Sequence, residues 1–107
     1  MPAYWLGRAN PRDGALLVQY AEIVSRIQPR YGFEPLSRGQ TFVELEGDLK
    51  FERYFLHRFP SLKEALAMYS SPEYQEAAAI RQAACNGSEL VIIDGGDNRK
   101  NSWGGFH

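Results

Sequence analysis

Arg53-Tyr54-Phe55-Leu56-His57-Arg58-Phe59-Pro60-Ser61-Leu62-Lys63-Glu64 is the stretch on which the fold turns. The run from Arg53 to Phe59 is rich in aromatic residues and free of Gly and Pro, which predicts a strand. Its odd set (Arg53, Phe55, His57, Phe59) and its even set (Tyr54, Leu56, Arg58) both mix apolar and polar side chains. Both faces of this strand are therefore expected to meet protein, helices on one side and a partner on the other. Pro60-Ser61 opens a helix at once. Ser61 and Glu64 have capping-box spacing, and Leu62, Ala65, Leu66 and Tyr69 follow on one helical face.

Ser71-Pro72-Glu73 is a second helix start, with Ser71 as cap and Pro72 where a missing N–H costs nothing. Tyr74, Ala77, Ala78, Ile80, Arg81 and Ala84 continue that helix, and Asn86-Gly87 is expected to stop it. Glu89 to Asp94 holds a continuous apolar run typical of a central strand. Upstream, Ala3 to Arg8 reads as a strand, and Asn10 or Asp13 as the cap of a helix. Leu16, Leu17, Tyr20, Ile23, Val24 and Ile27 form the apolar stripe of that helix, which Pro29 is expected to end near Ile27 or Gln28. Phe33–Arg38 and Thr41–Leu45 read as one bent strand bulged at Gly39-Gln40. The order is βαββαβ with the second helix broken in two. This is an α+β, ferredoxin-like arrangement with a four-stranded antiparallel sheet and all helices on one face. Apolar residues are too abundant on the strands for the other face to meet water, so a homodimer through that sheet face is expected.

Composition narrows the function classes. The 107 residues carry 12 Lys+Arg against 13 Asp+Glu, a formal net charge of −1, which argues against a nucleic-acid or anionic-membrane partner. One cysteine, no apolar run of membrane-spanning length and no signal peptide point to a cytoplasmic protein. A single domain over residues 1–94 is expected. The Gly-rich tail from 95 to 107 reads as flexible, with Trp103 and Phe106 as its only large apolar groups.

Phe59-Pro60-Ser61, Ala65, Tyr69, Ser71-Pro72-Glu73-Tyr74-Gln75 and Arg81 closely resemble the signature of the domain-of-unknown-function family 1330 (DUF1330). Tyr31-Gly32, Arg38-Gly39, Leu45-Glu46-Gly47 and Arg53 fall in the order of that family's remaining elements, so the resemblance covers roughly residues 3 to 94. It implies a dimeric α+β barrel, in which two ferredoxin-like sheets pack face to face. That superfamily spans cofactor-free monooxygenases, muconolactone-isomerase-like enzymes, chlorite-dismutase-type haem enzymes and non-catalytic members, so the resemblance implies fold and dimer rather than chemistry. Two positions depart from the pattern. Phe33 stands where the family has a second Gly, and Arg58 where an acidic residue precedes the Phe-Pro.

Most site chemistries lack their residues here. His57 and His107 are the only histidines, and no spacing suits a metal, so neither a metal nor a cofactor is expected. Cys85 follows an alanine-rich helix whose dipole disfavours a thiolate. Ser61 and Ser71 are explained by capping, and Gly95-Gly96 leads into no phosphate-binding helix. What remains is Arg38, Glu46, Arg53, His57, Arg58, Tyr69, Tyr74 and Arg81, a polar set among aromatic residues. Arginine offers a planar fork of donors suited to a carboxylate or an enolate. His57 is the candidate catalytic residue, since an imidazole titrates near neutrality; as a strand histidine it is expected to hydrogen-bond a neighbour.

Three readings stay open: a small organic acid or cyclic molecule bound between sheet and helices; a cofactor-independent monooxygenase or isomerase with His57 as base and Arg38 or Arg53 as oxyanion partner; and a structural or regulatory dimer whose charged residues only pair with one another, while Tyr69 and Tyr74 pack between helices. A concave pocket holding at least two of His57, Arg38, Arg53 and Arg58 favours the first two readings. A filled interior favours the third.

Overall fold

A computed structural model describes residues 1–38, 41–48 and 50–95. The elements run β1 (Ala3–Pro11), α1 (Gly14–Tyr31), β2 (Glu34–Ser37), β3 (Arg53–Phe59), α2 (Leu62–Ser70), α3 (Pro72–Ala84) and β4 (Cys85–Asp94). The strands form one antiparallel sheet in the order β2-β3-β1-β4. This is the ferredoxin-like α+β arrangement that the sequence predicts, except that β4, whose apolar run reads as a central strand, lies at the edge of the sheet beside β1.

Strand alternation assigns the two faces of the sheet. Ala3, Trp5, Gly7 and Ala9 of β1 are buried, and Ala3 and Trp5 share a core with Ile23 and Ile27 of α1 and Ala65, Met68, Tyr74, Ala77 and Ala78 of α2 and α3. Register then carries His57, Phe55 and Arg53 of β3 to the same helix-covered face, opposite Trp5, Gly7 and Ala9. Tyr4, Leu6 and Arg8 face the other way, level with Arg58, Leu56 and Tyr54 on one side and Ile93, Val91 and Glu89 on the other. On this helix-free face Val91 is 47% exposed and Ile93 48%.

The caps match the sequence chemistry. Leu16 N–H donates to the Asp13 carboxylate at 3.2 Å, so of Asn10 and Asp13 it is Asp13 that caps α1. Asn10 instead holds the approach to β3, donating to Lys50 C=O at 3.2 Å and accepting from Glu52 N–H at 3.0 Å. The hydroxyls of Ser61 and Ser71 accept from Glu64 N–H (3.2 Å) and Tyr74 N–H (3.1 Å), breaking the second helix where the sequence puts the break.

Three boundaries differ from the sequence reading. Helix α1 runs through Pro29 to Tyr31. Ile27 is buried and Gln28 Nε2 donates to Phe33 C=O at 2.9 Å, which hold the last turn despite the proline. The stop is Gly32, whose φ of 64° lets its N–H reach Gln28 C=O. Second, the strand after Gly32 is short. It ends at Ser37, and residues 41–45 form no strand. Phe42 turns onto the Tyr54 ring (centroids 4.8 Å apart) instead of pairing in the sheet, while the Gly39-Gln40 bulge lies outside the described residues. Third, β4 begins at Cys85, before Asn86-Gly87. Ala9 faces Ser88 and Pro11 faces Cys85, so β4 holds one extra residue there, and Gly87 at φ 120° makes the bulge. The Gly ends no helix because the chain passes directly from α3 into the strand. Downstream, Gly95 N–H still donates to Pro2 C=O at 2.7 Å, and the tail predicted to be flexible otherwise lies outside the described residues.

Candidate functional site

Helix α1 does not fill its space against the sheet. A cavity of about 450 Å³ remains between α1 and the β3-β1-β4 strands. Its walls are largely apolar: Trp5, Leu17, Val24, Phe33, Phe55 and Leu90. Gly7 and Ala9 in the middle of the sheet leave the room, since neither carries a large side chain. The Phe33 ring closes one end, 5.2 Å from Phe59 and 5.0 Å from His57 between centroids.

Of the residues singled out from sequence, Arg38, Arg53, His57 and Arg81 line this cavity. Two of them carry buried polar atoms with no hydrogen-bond partner, Arg53 Nε and His57 Nδ1. The neighbour expected to bond His57 is therefore missing at Nδ1. The Phe33 ring packs beside it instead, tilted by 52°, and an aromatic ring cannot serve an imidazole nitrogen as a backbone carbonyl would. Orphaned buried donors and acceptors are rare in folded proteins, and each calls for an explanation, of which a bound water or ligand is one.

Electrostatics favour an anion there. Arg38, Arg53 and Arg81 reach the cavity from β2's end, β3 and α3. Among the described residues the ion pairs join Arg8 to Glu89, Arg30 to Glu73, Lys50 to Glu44 and Arg58 to Glu34, and none of the three cavity arginines takes part. Burial, and then the Arg38 guanidinium, push the His57 pKa down to about 4. At neutral pH the ring is an uncharged imidazole, able to accept a proton or share a hydrogen bond. The folded value lies below the unfolded one, so the unfolded chain binds more protons between the two. The His57 contribution to stability is expected to fall as pH drops from about 6.5 toward 4 and to level off below. Urea unfolding across that range checks this, and His57→Gln should flatten the profile.

The remaining predicted residues stand elsewhere. Arg58 is on the helix-free face, 3.4 Å from Glu34, because it is one position out of step with Arg53 and His57. Glu46 is exposed on the segment that crosses beside Arg8 and Tyr54. Tyr69 packs its ring near Trp5 and Tyr74, away from the cavity lining. Tyr74 is fully buried just behind the wall, its pKa raised first by burial, and its hydroxyl meets Tyr20 Oη at 3.0 Å and Arg81 Nη1 at 2.6 Å. Burial pushes the Cys85 thiol up as well, which leaves it a poor nucleophile.

Sequence reasoning missed Tyr20 and Gln28 as lining residues. Tyr20, Val24 and Gln28 are spaced by four on α1, so they share the face turned to the cavity. A polar tip at each end of an otherwise apolar row was the available signal.

Among the described residues no group of three or more His, Cys, Asp or Glu is placed to hold a metal ion, and no helix is long and apolar enough to cross a membrane.

The model of a family described as a domain of unknown function (DUF1330) matches residues 2–96. A comparison with curated proteins gives no significant match. The chain is similar in structure to a protein of unknown function from Rhodopseudomonas palustris, with a TM-score of 0.73 at 24% identity over 91% of this chain and 84% of that one. A dimeric ferredoxin-like protein of unknown function from Jannaschia sp. CCS1 gives a TM-score of 0.67 at 18% identity, covering 87% of this chain and 98% of that one. A hydroxynitrile lyase from Passiflora edulis gives 0.64 at 14% identity, covering 92% and 96%. At these identities the likeness shows the fold.

Proposed function

This chain belongs to the DUF1330 family, whose description assigns no activity, and we propose from the cavity itself that it binds a small organic anion between sheet and helices, as a homodimer joined through the helix-free sheet face. The observation that carries the reading is the pair of orphaned atoms, Arg53 Nε and His57 Nδ1, on residues lining one aromatic-walled cavity whose arginines join no ion pair among the described residues. A carboxylate or enolate oxygen would satisfy the guanidinium, and the flat apolar walls would hold a planar or cyclic body. A purely structural dimer does not account for this space.

The dimer rests on two supports. Leu6, Leu56, Val91 and Ile93 form an apolar patch on the face that no helix covers, and solved neighbours of the same fold are described as dimeric.

Native mass spectrometry of the protein as purified reports dimer mass and any retained molecule together. Thermal melts with a panel of small carboxylates and their neutral amides then test the class. Carboxylates are expected to raise the midpoint and amides to have little effect. Arg53→Met should weaken carboxylate binding by roughly tenfold or more, the worth of a charged hydrogen bond. If no carboxylate shifts the melt and the purified protein carries nothing, the reading fails.

A catalytic reading is favoured by one further observation, the uncharged His57 imidazole beside Arg53 and Arg38. That set suits proton abstraction by His57 with an arginine on the developing oxyanion, as in a cofactor-independent isomerase or monooxygenase. Turnover or oxygen consumption lost in His57→Ala, with binding retained, separates this reading from binding alone.

A further inference from the structure

We infer that Tyr20 is the hydrogen-bond donor that meets the ligand's oxygen in the cavity, held in that sense by a one-way chain from Arg81 through Tyr74. The inference rests on the cavity being a binding site and says which group of the ligand is read there.

The direction of the chain follows from donor counting. A guanidinium has donors and no acceptor, so in the 2.6 Å contact Arg81 Nη1 donates and Tyr74 Oη accepts. The 3.0 Å contact between Tyr74 Oη and Tyr20 Oη can run either way by distance alone. Burial decides it. Tyr74 is 0% exposed, with its ring edge-on to Trp5 at 5.1 Å and tilted against Tyr69 at 5.7 Å. If Tyr20 donated to Tyr74, the Tyr74 hydroxyl hydrogen would be stranded in a dry core, at a cost of about 1–3 kcal/mol. If Tyr74 donates to Tyr20, both of its hydrogen-bonding roles are filled. The hydrogen of Tyr20 is then excluded from the Tyr74 side, and Tyr20 lines the cavity. Each donation also polarises the next O–H, because the charge of Arg81 feeds the chain from its buried end. Arg81 further sits 5.8 Å from the Tyr20 ring centroid, which steadies that ring.

The end of the chain is therefore a fixed donor. It selects an acceptor oxygen, a carboxylate or enolate, over a group that presents a hydrogen. Gln28, more than two helical turns away on the same face, has its amide nitrogen turned to Phe33 C=O, to which it donates at 2.9 Å.

Two measurements test this. In the ligand-free protein, proton NMR should find a slowly exchanging tyrosine hydroxyl whose strongest Overhauser effect is to the Tyr74 ring. A protected hydroxyl proton on Tyr20 instead, or none on Tyr74, overturns the inference whatever the ligand. The second uses benzoate and ring-substituted benzoates as probes. Tyr20→Phe is expected to weaken benzoate at least tenfold, and to remove part of the rise in affinity with carboxylate basicity seen across the series. Loss of packing alone would not change that slope. Equal binding of the whole series by Tyr20→Phe and the unaltered protein removes this role for Tyr20 and leaves the cavity reading standing. No binding of any benzoate at millimolar concentration removes both.

Discussion

Leu56→Asp is expected to convert the protein from a dimer to a monomer in sedimentation at micromolar concentration. Leu56 lies level with Leu6 across the β1–β3 pair, and Val91 lies on the far side of Leu6, so the three form a row across the helix-free face. In the proposed dimer a second sheet covers that row. A carboxylate there would lose its water, and the two arginines of that face are already engaged, Arg8 with Glu89 at 2.6 Å and Arg58 with Glu34 at 3.4 Å. Several kcal/mol per buried ion, doubled because each copy brings one, weakens association by on the order of a thousandfold or more. Leu66→Asp on α2, 49% exposed on the helix layer, should leave the dimer intact. A sheet-face dimer is refuted if the unaltered protein sediments as a well-behaved monomer, or if Leu56→Asp remains dimeric.

Phe59→Ala is expected to cost about 3–5 kcal/mol of stability, read as a fall in the urea midpoint at unchanged slope. Phe59 is 0% exposed, stacked on Trp5 at 5.4 Å and tilted against Phe33 at 5.2 Å between centroids. Both neighbours also line the cavity. The truncation therefore removes a support from the site as well as volume from the core, and benzoate affinity should drop in molecules that are still folded. Phe59→Leu keeps most of the volume and should cost less on both counts. A midpoint unmoved by Phe59→Ala would show that the β3 end is not where the core closes.

Much of the site was half-legible in the sequence. Arg53 and His57 are four apart on a strand, an even spacing, and Arg58 is one out of step, so parity alone separates Arg58 from the other two. Parity does not say which face the helices take. That came from Trp5 and Ala3, whose burial depends on Ile23 and Ile27 more than fifteen residues away. Arg81 reaches the cavity only because α3 packs beside α1, and Tyr20, on the apolar stripe, reads as core until the space beside it is seen.

The sequence by itself determined the order of elements, the caps at Ser61 and Ser71, and the break between α2 and α3. These depend on side-chain alternation and on backbone groups satisfied within three or four residues, so they are written locally. Only the tertiary structure decided that α1 passes Pro29, that Gly87 bulges β4 rather than ending α3, and that a cavity opens beneath α1. Those outcomes are set by volumes and polar partners brought together from distant parts of the chain, for which no local pattern exists.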